Sequence, residues 1–171
     1  MGLDVTAYKN VKHAPTAERD GDDLLGDTVC LYKNPDFPSQ YDDLIDDAPY
    51  SYEDSFGFAA GGYGGYNRWR NDLAKIAGHQ LGTYEQFGKP WPSYCASVWD
   101  NPDRPGPFVE LINFSDCEGT IGPKTCAKLA KDFAEHQAKA DEHPDPWFRE
   151  KYAAWRRAFE MAAAAGAVRF H

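Results

Sequence analysis

Three stretches of the 171-residue chain gather side chains capable of chemistry. The first is Gly61-Gly62-Tyr63-Gly64-Gly65-Tyr66-Asn67-Arg68-Trp69-Arg70, a glycine run that leads into helix-forming sequence. Glycines let backbone N–H groups turn toward an anion, and a helix N-terminus adds a favourable dipole. Gly62, Tyr63, Gly64 and Gly65, with Arg68 and Arg70, therefore make a candidate site for a small anion or nucleotide, which Glu110 or Asp116 would orient. The run matches neither G-x-x-x-x-G-K-[ST] nor G-x-G-x-x-G, so it defines no nucleotide fold. Two arginines in a first helical turn also oppose the dipole unless an acid or ligand neutralises them. The plainer alternative is a tight turn whose arginines meet the protein's own acidic segment.

The second stretch runs from Phe108 to Gly119. Read as a strand, it puts Glu110 in one row with Phe108, Ile112 and Phe114, where an ionised carboxylate needs a partner. Arg68 or Arg70 is the expected partner; a carboxylate with a raised pKa, acting as acid or base, is the functional alternative. Ser115 and Glu118 have the S-x-x-E form of a capping box. Asp4, Asp116 and Glu118 supply the oxygen donors a hard cation would need for metal-assisted hydrolysis, although the sequence does not fix their proximity. Cys117 between two acids is a poor nucleophile. His13, His79, His136, His143 and His171 show no metal-binding spacing, and Asp132 with His136 reads as a solvent-facing helical pair. No G-x-S-x-G is present. The expectation is therefore no catalytic residue, no metal site and no cofactor.

The third feature is charge. The chain carries a formal −9, and residues 18–54 hold twelve acids against only Arg19 and Lys33, so one segment supplies the whole imbalance. Phosphate contacts need clustered Lys and Arg, which argues against direct nucleic-acid binding. Aromatics interleave with these acids. Asp42, Asp43, Asp46 and Asp47 with Tyr41, Tyr50 and Tyr52 form the expected partner-binding surface, whose negative field would steer a basic protein. A solvated charged face is the alternative reading. Asp20-Gly21-Asp22-Asp23 fails the calcium-loop pattern.

These residues need elements to position them. The hydrophobic pattern predicts one α+β domain spanning 1–171 with a small mixed or antiparallel sheet. Strands are expected near 2–8, 27–33, 55–60, 107–114 and 167–171, and helices near 67–77, 123–140 and 146–165. Asn67 is a possible N-cap, and Pro123 and Pro146 stand at favoured first helical positions. The acidic segment 18–54 and a Pro/Trp-rich segment 79–106 read as long irregular loops. No apolar run reaches the roughly 20 residues of a membrane helix. The N-terminus lacks a signal-peptide pattern, and the loose Gly2/Thr6 myristoylation fit has no second anchor beside it. Cys30, Cys95, Cys117 and Cys126 are widely spaced, as reduced cytoplasmic thiols would be.

The segments Gly2-Leu3-Asp4-Val5-Thr6-Ala7-Tyr8, Gly61 to Arg70 and Glu110 to Pro123 resemble a family of hypothetical proteins from bacteria and their phages or prophages. The resemblance extends through 146–165 and the closing Val168-Arg169-Phe170-His171. It implies a bacterial or phage cytosolic origin and assigns no catalytic residue. With the acidic surface, it leads to the expectation of a non-catalytic inhibitor, anti-defence or immunity-like factor that binds a basic partner.

Overall fold

The two ends of the chain lie side by side. A computed structural model describes residues 2–114 and 118–171. Its elements are, in order, β1 (Gly2–Lys9), β2 (Lys12–His13), β3 (Arg19–Asp20), β4 (Asp23–Leu24), β5 (Thr28–Leu31), β6 (Ala48–Ser51) and β7 (Asp54–Gly62). Then come α1 (Tyr63–Ile76), β8 (Gly82–Gln86), β9 (Lys89–Ser93), α2 (Ala96–Trp99) and α3 (Val109–Asn113). The last are β10 (Gly119–Ile121), α4 (Pro123–Asp141), α5 (Pro146–Ala162) and β11 (Ala167–Phe170). The architecture is mixed α+β with antiparallel pairing in each strand pair described.

The main sheet has the order β10-β11-β1-β7. In β1, Leu3, Val5 and Ala7 alternate with Asp4 and Thr6, and the apolar row is buried beneath the helices. Tyr8 is buried as well. It belongs to a second, smaller core of Val29, Leu31, Tyr41, Ala48, Tyr50 and Ala167, built where the β2-β6-β5 sheet packs near the end of β1. The acidic segment is thus an ordered lobe with its own apolar centre.

Helix α5 presents Phe148, Tyr152, Trp155 and Phe159 to the core, at the spacing of one helical face. Trp155 is the centre of that core. Its ring lies 5.0 Å from Phe58, 5.4 Å from Trp69, 5.5 Å from Phe170 and 5.8 Å from Tyr66. Gly166 then lets the chain turn back into β11, since a Cβ there would stand 2.0 Å from the Tyr8 carbonyl oxygen.

Three expectations are corrected. Residues 107–114 are not a strand: Phe108 sits at φ 58° and a single turn of helix, α3, follows. Phe108, Val109, Leu111, Ile112 and Phe114 are all buried, so no period-2 burial pattern exists. Helix α1 starts at Tyr63 rather than after Asn67, with Gly64 and Gly65 inside its first turn, because its buried face begins at Tyr66. The segments expected to be irregular contain regular structure: β3, β4 and β6 in one, and the β8–β9 hairpin with α2 in the other.

Removing the central ring should be costly. Trp155→Ala is expected to lower the unfolding free energy by about 3–5 kcal/mol, read from the urea midpoint at unchanged m-value.

Candidate functional site

The glycine run does not present a free anion cradle. Gly61 and Gly65 lie under Trp147, whose ring atoms would stand 3.4 and 3.5 Å from an added Cβ. Arg68 covers the same indole, 5.1 Å from its centroid, and reaches Asp145 at 3.8 Å. Arg70 is only 4% exposed and points inward. It donates to the carbonyl oxygens of Ile112 (3.2 Å) and Phe114 (3.0 Å) and to Asn67 Oδ1, with its guanidinium over Tyr66. Through its two terminal nitrogens, with Nε left unbonded, this buried guanidinium ties α1 to the end of α3. It takes no ligand.

Glu110 meets neither arginine. Its partner is Lys128 of α4, whose ammonium also reaches the Gly106 carbonyl (2.6 Å) and Asp132 (2.9 Å). Asp132, 7% exposed, accepts from the Phe108 backbone N–H at 2.8 Å. This carboxylate holds the one residue of the turn that has a left-handed backbone. It is therefore not the solvent-facing partner of His136, whose Nδ1 instead lies 2.9 Å from the Asp132 carbonyl. The proposed ligand set of Gly62, Tyr63, Gly64, Gly65, Arg68, Arg70 and Glu110 is thus dispersed, and Asp116 lies outside the described residues.

The cation set fares similarly. Asp4 stands exposed on the outer face of β1, and Glu118 lies within 3.4 Å of the Tyr32 hydroxyl. Among the described residues, no three His, Cys, Asp or Glu side chains form a metal-holding group. Ser115 and Cys117, like Asp116, fall outside those residues, and with them the capping box. Burial pushes the Cys95 thiol up to about 11 and the Cys126 thiol well up, so neither supplies a thiolate nucleophile. His171 Nε2 and Thr6 Oγ1 are 3.0 Å apart, a hydroxyl–imidazole contact that the sequence could not show because the residues stand at opposite chain ends. Among the described residues, no carboxylate bonds the other ring nitrogen, so the orienting third group of a triad is lacking.

The aspartates of 42–47 serve the scaffold. Asp42 caps α4 from a distant loop, its Oδ2 accepting from the N–H groups of Lys124 (2.8 Å) and Thr125 (3.0 Å). Gly122 makes that approach possible, because a Cβ there would lie 2.4 Å from the Tyr41 carbonyl oxygen. Asp43 pairs with Lys124. The Lys33 backbone N–H and ammonium hold the Asp46 carboxyl below its ordinary value. Asp47 accepts from the Cys30 thiol at 3.4 Å. Tyr41 and Tyr50 are buried, their hydroxyls bonded to the backbone of Ile45, while Tyr52 packs 4.8 Å from Tyr8. Asp43, Asp46 and Asp47 stay exposed, but each has a partner within the fold, while Tyr41 and Tyr50 are turned into the small core.

The uncompensated carboxylates lie earlier in the same lobe. Glu18, Asp20, Asp22, Asp23 and Asp27 are all exposed around the β3–β4 hairpin, and no salt bridge or side-chain hydrogen bond engages any of their carboxylates among the described residues. Asp20 faces Asp23 directly across the hairpin. Beside it opens a recess of about 270 Å³ that includes Asp22, Asp23, Arg19, Cys30 and Arg169.

Comparison with known proteins returns no match to a family model, to a curated protein or to a solved structure. No helix among the described residues is long and apolar enough to cross a membrane.

Two measurements separate scaffold from surface. Arg70→Ala is expected to destabilise by about 2–4 kcal/mol, by leaving carbonyls unsatisfied in the core, while Arg68→Ala stays within about 0.5–1 kcal/mol. Asp42→Ala should cost about 1 kcal/mol as a lost helix cap, visible as a lowered thermal midpoint.

Proposed function

We propose that this chain is a non-catalytic binding protein whose acidic lobe engages a basic protein partner. The contact centres on Glu18, Asp20, Asp22, Asp23 and Asp27, and not on the aspartates of 42–47. The observation that carries this reading is Asp20 opposite Asp23 across a two-stranded hairpin. Like charges directly opposed destabilise a strand pair, and among the described residues neither carboxylate forms a salt bridge, although Arg19 and Arg169 lie at the neighbouring recess. A local rule broken without internal compensation marks a place where the charge serves something outside the fold. Leu25, 46% exposed beside these acids, adds apolar contact area. The braced loop at 42–47 supports the lobe from behind, through Asp42 on α4 and Tyr41 in the small core. Such a surface steers a cationic partner and rejects an anionic one. An inhibitor or immunity-like factor in a bacterial or phage setting works in that way.

The test compares three proteins as bait in a bacterial host lysate, with bound material quantified by mass spectrometry. The D20N/D22N/D23N/D27N variant is expected to lose its partner while its melting temperature stays within about 2 °C or rises. The D43N/D47N variant should retain it, and capture by the unchanged chain should fall steeply with added salt. Equal capture by all three, insensitive to salt, would sink the proposal.

A further inference from the structure

We propose that the cleft between the β8–β9 hairpin and α1 is a docking site for a proline-rich segment in the polyproline II conformation. The cleft is about 260 Å³ in volume, and its apolar wall is aromatic: Tyr84, Trp91 and Trp99. Tyr84 and Trp91 are directly opposed across the hairpin, so their side chains share one face. Trp99 from α2 meets Tyr84 edge to face at 5.5 Å. Trp91 stays 49% exposed, an unusual state for an indole with a wall of its own protein beside it.

The polar wall decides the occupant. Asn71 Oδ1 accepts from the Ser93 hydroxyl at 2.9 Å and from the Tyr94 backbone N–H at 2.7 Å. Asn67 Oδ1 accepts from the Arg70 guanidinium, and Gln86 Oε1 accepts from the Tyr84 hydroxyl at 3.2 Å. Backbone amides and guanidinium groups only donate, so the orientations of Asn67 and Asn71 are fixed by their partners. Asn71 Oδ1 is filled by two donors, and Asn67 Oδ1 and Gln86 Oε1 each already accept one bond, so the NH2 ends are the freest polar groups of the three carboxamides. Arg68 adds a guanidinium that is shared with Asp145, and among the described residues the Trp91 indole N–H holds no bond. Among the described residues, no carboxylate lines the cleft. Its free side-chain polarity is therefore electropositive, made of donors placed against aromatic faces.

The complementary ligand offers acceptors, brings no donors of its own and has flat apolar faces. A polyproline II segment fits that description, because its carbonyls project unpaired, its prolines lack N–H, and its rings pack on Trp and Tyr. A neutral sugar fits less well, since its many hydroxyl donors meet few free acceptors here, chiefly the Tyr84 hydroxyl and the second lone pairs of Asn67 Oδ1 and Gln86 Oε1. Addition of a strand along β9 is also disfavoured, because Pro90 and Pro92 remove N–H groups from that strand.

The experiment titrates the full chain with a decaproline peptide and follows tryptophan emission. Saturable binding is expected. Trp91→Ala should weaken it by about tenfold or more. Asn71→Asp keeps the oxygen that holds Ser93 and Tyr94 but replaces the donor NH2 with a carboxylate oxygen; it should weaken binding by about tenfold with the melting temperature unchanged. The D20N/D22N/D23N/D27N variant should bind decaproline as the unchanged chain does, which keeps this site separate from the acidic lobe. Absence of saturation overturns the proposal, as does undiminished binding by Asn71→Asp. A neutral cello-oligosaccharide that saturates a Trp91-dependent site where decaproline does not would overturn it too.

Discussion

A charged side chain that enters the interior must find its partners there, because an uncompensated buried charge costs several kcal/mol. That constraint organises this molecule. Arg70 is admitted to the core by two carbonyl oxygens at the end of α3. Asp132 is admitted by the Phe108 N–H and the Lys128 ammonium. Asp42 is drawn against α4 because the first turn of a helix begins with unsatisfied N–H groups and Gly122 has no side chain to fill them. Apart from the Lys128–Asp132 pair inside α4, these pairings join elements far apart in sequence, and together they tie down the segment 106–114, the acidic lobe and α1.

The same constraint explains which parts of the fold were legible in the sequence. Helices α4 and α5 were, because a proline at each first position and an apolar stripe at helical spacing agree. Strand β1 was, because its alternation answers to one buried face. Residues 107–114 were not. Every large apolar residue there is buried whichever period is assumed, and the left-handed turn at Phe108 depends on Asp132, twenty-four residues further on. The hairpins in the two segments expected to be irregular were hidden for another reason. Gln86-Phe87-Gly88-Lys89 turns with positive φ at both central residues, and phenylalanine is a poor advertisement for that conformation. Phe87 is nonetheless 93% exposed there, so neither its backbone nor its side chain follows the local preference.

Site residues were harder to read than elements, and the difference is physical. Composition correctly located the source of the negative charge, but it weights all carboxylates alike. Only three-dimensional pairing separates Asp42, Asp43 and Asp46, which neutralise helix ends and lysines, from Asp20, Asp22 and Asp23, which form no salt bridge among the described residues. Arginine suffers the same ambiguity: Arg68 and Arg70 are two residues apart, yet one lies on the surface over Trp147 and the other is an internal donor. A helix turns by about 200° over that interval, so adjacent-looking charges face opposite sides.

The aromatic cleft shows what a sequence withholds most completely. Asn67, Asn71 and Gln86 are amphoteric as letters, each able to donate and to accept. Folding draws on that capacity at the oxygens and leaves the NH2 ends free, so the wall acquires a bias toward donors that none of its residues has alone. The acidic hairpin acquires its character in the opposite way, by leaving carboxylates without partners. One surface is selective through what the fold has already satisfied and the other through what it has not. The first relies on short-range donors against aromatic faces, which salt scarcely screens, and the second on a field that falls off within a Debye length of about 8–10 Å. Different elements carry them, α1 with β8–β9 for one and β3–β4 for the other, and only the cleft touches a core pairing, through Asn67 on the Arg70 guanidinium.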